Sequence, residues 1–125
     1  MITMTEKKFE KDVKAFLKAQ NCWYVKTWSN GVQRKGIPDL LVCCNGVFLG
    51  VELKCEEGHP SDLQLWNIKK IRMAHGIGIV LYPEAFIDFQ KMIKEIKLDE
   101  DNGFDWYCKQ HTYFDREGMW NNESL

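Results

Sequence analysis

The sequence predicts an α/β fold, with helices packed on a mixed β-sheet in the order αβββαβα. Three observations carry this. Apolar residues recur at helical spacing near the N-terminus and again after residue 85. Three segments between residues 23 and 54 are rich in strand-forming residues, and the last two are joined by Asn45-Gly46. The short apolar run Ile77 to Tyr82 lies between two helical segments, which suits a buried strand parallel to a neighbour.

Residues 3–20 form the first expected helix. Thr3 with Glu6 fits a capping box, and Phe9, Val13, Phe16, Leu17 and Gln20 fall within about a 100° arc. Lys7, Lys11, Lys14 and Lys18 line the opposite side, as a solvated face or a rail for phosphates. Trp23 to Trp28 is the first strand, followed by a turn at Ser29-Asn30-Gly31 and a basic loop at Gln33-Arg34-Lys35-Gly36. Asp39 to Cys44 and Val47 to Lys54 form a hairpin through a type I′ turn at Asn45-Gly46. After a loop from Glu56, Ser61 and Gln64 make a second capping box. This box opens a helix from Asp62 to His75 that Gly76 ends. Pro83 breaks the strand that starts at Ile77. Ala85 to Lys97 is a third helix, with Phe86, Phe89, Ile93 and Ile96 inward. From Leu98 the chain is acidic, then aromatic and irregular. Residues 1–97 are therefore expected to be one domain, and residues 98–125 an aromatic-rich extension packing on it or at a dimer interface. Trp106, Tyr107, Tyr113, Phe114 and Trp120 fit a core or interface role.

Composition narrows the function. A chain of 125 residues with 45% hydrophobic and 28% charged residues is an ordinary globular mixture. Lys+Arg 17 against Asp+Glu 18 excludes a polybasic binder, so any nucleic-acid surface is a local patch. The apolar runs fall far short of the ~20 residues that span a bilayer, and no basic-then-apolar leader opens the sequence. No membrane association and a cytoplasmic location are expected. Five cysteines without CxxC spacing suit reduced thiols. Cys43 and Cys44, on opposite faces of one strand, are expected to be buried.

The chemistry concentrates in the hairpin. With a two-residue turn at 45–46, cross-strand partners have numbers summing to 91, so Asp39 faces Glu52. Lys54, two residues on, shares that face. Two carboxylates ~5 Å apart at an effective dielectric of ~20 repel by about 3 kcal/mol. A divalent cation, Lys54 or a proton must neutralise them. Oxygen ligands on a rigid hairpin suit Mg²⁺ or Mn²⁺, while the plainer alternative is an ion cluster at a strand end, screened by Lys54.

Pro38-Asp39 followed by Glu52-Leu53-Lys54 resembles the core motif of PD-(D/E)xK nucleases. The surrounding Gly-Ile-Pro-Asp-Leu-Leu-Val, the Asn-Gly hairpin, Val-Glu-Leu-Lys and the downstream Ser-Asp-Leu-Gln are similar to the VRR-NUC branch, which is related to archaeal Holliday-junction resolvases. The resemblance spans about residues 6–82 and implies a restriction-endonuclease-like core. It implies Asp39, Glu52 and the backbone carbonyl of Leu53 as metal ligands and Lys54 as the catalytic lysine. Gln64 matches a glutamine at the start of the next helix, a role compatible with capping. The first helix should add an acid, Glu10 or Glu6. Glu10 is favoured because it is deeper in the helix and stands 11 residues before Asn21, where related nucleases carry a glycine. Lys26, Ser29, Arg34 and Lys35 are expected to contact the DNA backbone, although Arg34 and Lys35 also suit an ordinary polar loop.

The implied activity is Mg²⁺- or Mn²⁺-dependent hydrolysis of DNA phosphodiesters by metal-activated water, selective for branched or junction DNA. A four-way junction is cut on two strands, so a homodimer is expected. The rivals are a sequence-directed restriction or repair nuclease on the same fold, and a non-catalytic DNA-binding or assembly module.

Overall fold

A computed structural model describes residues 5–28, 35–98 and 103–120. Its elements are α1 (Glu6–Ala19), β1 (Trp23–Lys26), β2 (Leu40–Cys44), β3 (Val47–Leu53), α2 (Asp62–Met73), β4 (Ile77–Leu81), a 3₁₀ turn (Pro83–Ala85), α3 (Phe86–Leu98) and α4 (Phe104–Phe114). The strands lie in the order β1-β2-β3-β4, antiparallel until β4 joins β3 in parallel. The mixed sheet flanked by helices matches the expected class. Among the described residues, no helix is long and apolar enough to cross a membrane.

Alternation along the strands sorts the core. Leu49, Val51 and Leu53 of β3 join Phe9, Val13 and Leu17 of α1 and Phe89 and Ile93 of α3 in one cluster. Val80 and Tyr82 meet Leu65 and Ile68 of α2 in a second. Gly50 and Glu52 therefore look toward α2.

Several boundaries differ from expectation for local reasons. Helix α1 starts at Glu6 because Thr5 is its cap, its side chain accepting from the Lys8 N–H at 3.1 Å. Thr3 lies outside the described residues, and the residue three beyond Thr5 is a lysine, so no reciprocal box forms there. The α1 helix ends in a Schellman motif in which Cys22 N–H reaches Leu17 O and Asn21 N–H reaches Lys18 O. Asn21 takes φ +59°, a left-handed conformation that asparagine tolerates, so it can stand where the resemblance leads one to expect a glycine. In α2 the left-handed residue is His75 (φ +70°), not Gly76 as expected.

The largest departure is α4. Residues 104–114 are helical rather than irregular, and Trp106, Gln110 and Phe114, at i, i+4 and i+8, form its buried stripe. Trp106 and Phe114 enter the main cluster. The side chain of Gln110 accepts from Gly78 N–H at 2.9 Å, satisfying the open edge of β4. Cys44 is buried as expected, whereas Cys43, on the opposite face of β2, is exposed.

Candidate active site

The hairpin register runs from Cys44↔Val47 to Leu40↔Val51, every pair summing to 91. Asn45 and Gly46 both adopt positive φ, as a type I′ turn requires. Asp39, one residue beyond the ladder, faces Glu52.

Asp39 is held from three sides. Its backbone carbonyl accepts from Thr27 N–H at 2.9 Å. Its carboxylate accepts from Leu53 N–H, also at 2.9 Å. The preceding loop is tied to α2, where the Asn67 amide donates to Gly36 O at 3.0 Å. Gly36 sits at φ +79°, and a Cβ there would stand 2.6 Å from Leu63 Cγ, so glycine is required. Leu53 presents N–H and C=O to the same strand edge, which turns its carbonyl toward Asp39.

Glu52 is 1% exposed. Its Oε2 accepts from the Gln64 amide at 3.0 Å and lies 3.5 Å from Lys54 Nζ. Its Oε1 is buried and has no hydrogen-bond partner among the described residues. Burial foremost, and then the charge of Asp39, push its carboxyl up to about 8, with Lys54 pulling the other way. Near neutral pH without a cation, Glu52 therefore holds a proton. Gln64 serves both expected purposes, since its side-chain oxygen also accepts from Ser61 N–H at 2.8 Å in a complete capping box.

On the other side, Lys26 Nζ stands 2.6 Å from Glu10 and 3.6 Å from Asp39. Lys14 adds a 3.4 Å contact to Glu10. Burial alone would raise the Glu10 carboxyl, but Lys26 and Lys14 more than offset it and hold it below its ordinary value. Burial likewise pulls the Lys26 ammonium down, and Glu10 and Asp39 outweigh it, leaving it raised. Glu6 is exposed in the first turn of α1.

Glu10, Lys26, Asp39, Glu52, Lys54 and Gln64 thus converge at one end of the sheet. Lys35 is exposed in the loop leading to Asp39, while Ser29 and Arg34 lie outside the described residues. Sequence reasoning passed over Thr27 and Asn67, which position the Asp39 strand. Both act across long separations that no local spacing signals.

Among the described residues, no group of three or more His, Cys, Asp or Glu side chains could hold a metal. What the site offers is two opposed carboxylates, one of them with an orphaned buried oxygen, and a backbone carbonyl. That donor set fits a hard cation that keeps much of its water, such as Mg²⁺, and does not fit zinc.

These features define an α/β protein with a restriction-endonuclease-like fold. A solved VRR_NUC domain superposes with a TM-score of 0.55 at 26% identity, covering 76% of this chain and 96% of that one. The VRR-NUC resemblance of the hairpin motif is therefore matched in three dimensions. Archaeoglobus fulgidus Hjc, a Holliday junction resolvase from an archaeal hyperthermophile, matches with a TM-score of 0.45 at 17% identity, over 61% of this chain and 67% of that one. No protein-family model matches the chain, and no curated protein matches it.

Proposed function

We propose that this chain is a Mg²⁺-dependent DNA endonuclease, with Mn²⁺ as an alternative cation, selective for branched or junction DNA. The observation that carries it is the buried, unpartnered Oε1 of Glu52 opposite Asp39, because an orphaned buried oxygen is costly unless a ligand uses it. Asp39, Glu52 and the Leu53 carbonyl would hold the cation. When bound, it would polarise a phosphoryl oxygen and lower the pKa of water at the site. Gln64 holds Oε2 of Glu52 and leaves Oε1 for the cation. Lys54 lies beside Glu52, where its ammonium would offset charge developing on the phosphate or orient the attacking water. Glu10 keeps Lys26 charged and half-drawn away from Asp39.

Lys26, Lys35, Ser29 and Arg34 would contact DNA phosphates, with the lysines of α1 as an outer rail. Selectivity for branched DNA comes from analogy with the resolvase fold.

Two cuts on one junction call for a homodimer. Trp106 and Phe114 are buried in the chain's own core, which leaves Phe104 (61% exposed) and Tyr113 (43% exposed) of α4 for the expected C-terminal interface. Trp23 (61% exposed) and Phe48 (43% exposed) flank Cys43 in one cross-strand row and make a second candidate surface.

The test is cleavage of labelled linear, flapped and four-way DNA with and without Mg²⁺, alongside Asp39→Ala and Glu52→Ala. Cutting should require Mg²⁺, favour the four-way substrate and vanish in both variants. A folded wild-type chain that binds DNA but neither binds Mg²⁺ nor cuts would be a binding module instead.

A further inference from the structure

Directly after Lys54 the chain makes a tight turn closed by the Gly58 N–H donating to Cys55 O at 2.7 Å. Within it Glu56 adopts φ +36°, a left-handed conformation that disfavours a residue with a side chain. Such strain persists only where surrounding contacts over-determine it. Two contacts do so, one from the residue that follows β4 and one from the C-terminal segment. Arg116 donates to Glu56 O at 2.7 Å, and the Tyr82 hydroxyl donates to Gly58 O at 2.7 Å. The Arg116 guanidinium also lies over the Tyr82 ring, 3.2 Å from its centroid, and pairs with Glu84. One arginine therefore braces both tethers. The turn in turn backs the lysine, since a Cβ at Gly58 would stand 3.4 Å from Lys54 Cδ.

We propose that Arg116 is a positioning residue for Lys54: with Tyr82 it clamps the Cys55–Gly58 turn, which keeps the lysine against Glu52. The C-terminal segment thereby becomes part of the working site, although it lies beyond the span of the nuclease-like motif. The proposal rests on Lys54 acting as the catalytic lysine. A planar, multi-donor guanidinium suits the task, because it can bond a carbonyl and a carboxylate while stacking on an aromatic ring.

Cys55 gives a readout independent of activity. It is half-buried in the clamped turn, whereas Cys43 and Cys108 are exposed elsewhere. In the full chain, iodoacetamide labelling mapped by mass spectrometry should quicken at Cys55 by about fivefold in Arg116→Ala, the scale of one lost hydrogen bond. Labelling of Cys43 and Cys108 should not change. Cleavage by the same variant should lose about tenfold in kcat with KM for DNA and the Mg²⁺ midpoint unchanged, as expected for a misplaced catalytic group. Tyr82→Phe keeps the ring and removes one tether, so it should show a smaller acceleration at Cys55 and a smaller loss of kcat, with Cys43 and Cys108 unchanged. Unchanged Cys55 labelling in both variants, equal acceleration at all three cysteines, or faster Cys55 labelling with normal kcat would each overturn the proposal. A wild-type chain that fails to cut DNA would instead overturn the nuclease reading, and the labelling would still report whether the clamp exists.

Discussion

Two polar clusters lie at different places on the sheet, and they are built in opposite ways. Beside β4, Arg72 makes a two-pronged pair with Asp115 at 2.7 and 2.8 Å and donates a third bond to Gly78 O. Trp120 donates to the same carboxylate, and Gln110 takes the Gly78 N–H. Both backbone groups of an edge residue are thus satisfied by side chains. At the end of the hairpin, by contrast, Lys54 and Lys26 approach Glu52 and Asp39 only to 3.5 and 3.6 Å, longer than a good charge-assisted hydrogen bond. One oxygen of Glu52 has no hydrogen-bond partner among the described residues. A saturated network closes an edge and holds the fold; an unsaturated one of similar burial keeps its capacity for a ligand.

The sharpest way to break this comparison is to cut each cluster. Removing Arg72 leaves Asp115 unpaired and Gly78 O without its donor. Arg72→Ala should cost about 4 kcal/mol, the scale for breaking a largely buried pair, and lower the melting temperature by roughly 15 °C. Thermal denaturation monitored by circular dichroism measures it. A loss of less than about 1 kcal/mol would place the Asp115 network with ordinary surface pairs.

The hairpin cluster should respond in the other direction. Glu52 titrates near 8 in the folded chain, above its ordinary value of 4.5 when unfolded. Between those values the native state holds a proton that the unfolded state has released. Stability without metal must therefore fall as pH rises through that window and level off above it, by on the order of 5 kcal/mol. Glu52→Gln cannot ionise, so it should flatten the slope, raise stability at pH 8 and abolish cleavage. For the wild type, Mg²⁺ should bind more tightly as pH rises and release close to one proton, which calorimetry in buffers of different ionisation enthalpy will show. A metal-free stability that climbs from pH 5 to 8 would mean Glu52 is an ordinary paired carboxylate.

How much of this was legible in the sequence divides along the same line. The hairpin was legible because a two-residue turn sets its register, and a period of two then assigns every side chain to a face. The Asp39–Glu52 opposition and the capping role of Gln64 followed from short-range spacing, while the place of Gln64 in the site came from the family resemblance. The β4-edge cluster was not legible. Arg72 and Asp115 are 43 residues apart, and Arg116 and Glu56 are 60 apart. The stripe that makes α4 amphipathic has a glutamine at its centre. A polar residue buried to cap a strand edge looks like a solvent-facing one until the edge is known. The chain's own answer to the carboxylate pair was also out of reach, because a proton on Glu52 depends on burial under α2, and burial is a tertiary fact.

The smallest expected effect separates the two candidate glutamates of α1. Glu10 and Lys26 pair at 2.6 Å with side chains about one quarter exposed, so Glu10→Gln should cost only about 1 kcal/mol of stability. Glu6 is exposed, and Glu6→Gln should stay within about 0.5 kcal/mol. Cation binding will distinguish them better. Lys26 is shared between Glu10 and Asp39, and the shorter distance to Glu10 holds it off Asp39. With a neutral glutamine at position 10, the ammonium loses its nearer anion and moves toward Asp39, where it competes with the divalent cation for the same oxygens. Glu10→Gln should therefore raise the Mg²⁺ concentration needed for half-maximal cleavage severalfold, and adding Lys26→Met should reverse that shift. Glu6→Gln should leave the Mg²⁺ curve in place. If Glu6→Gln moves the curve and Glu10→Gln does not, the acid that serves the site sits one turn earlier in α1 than its contacts place it.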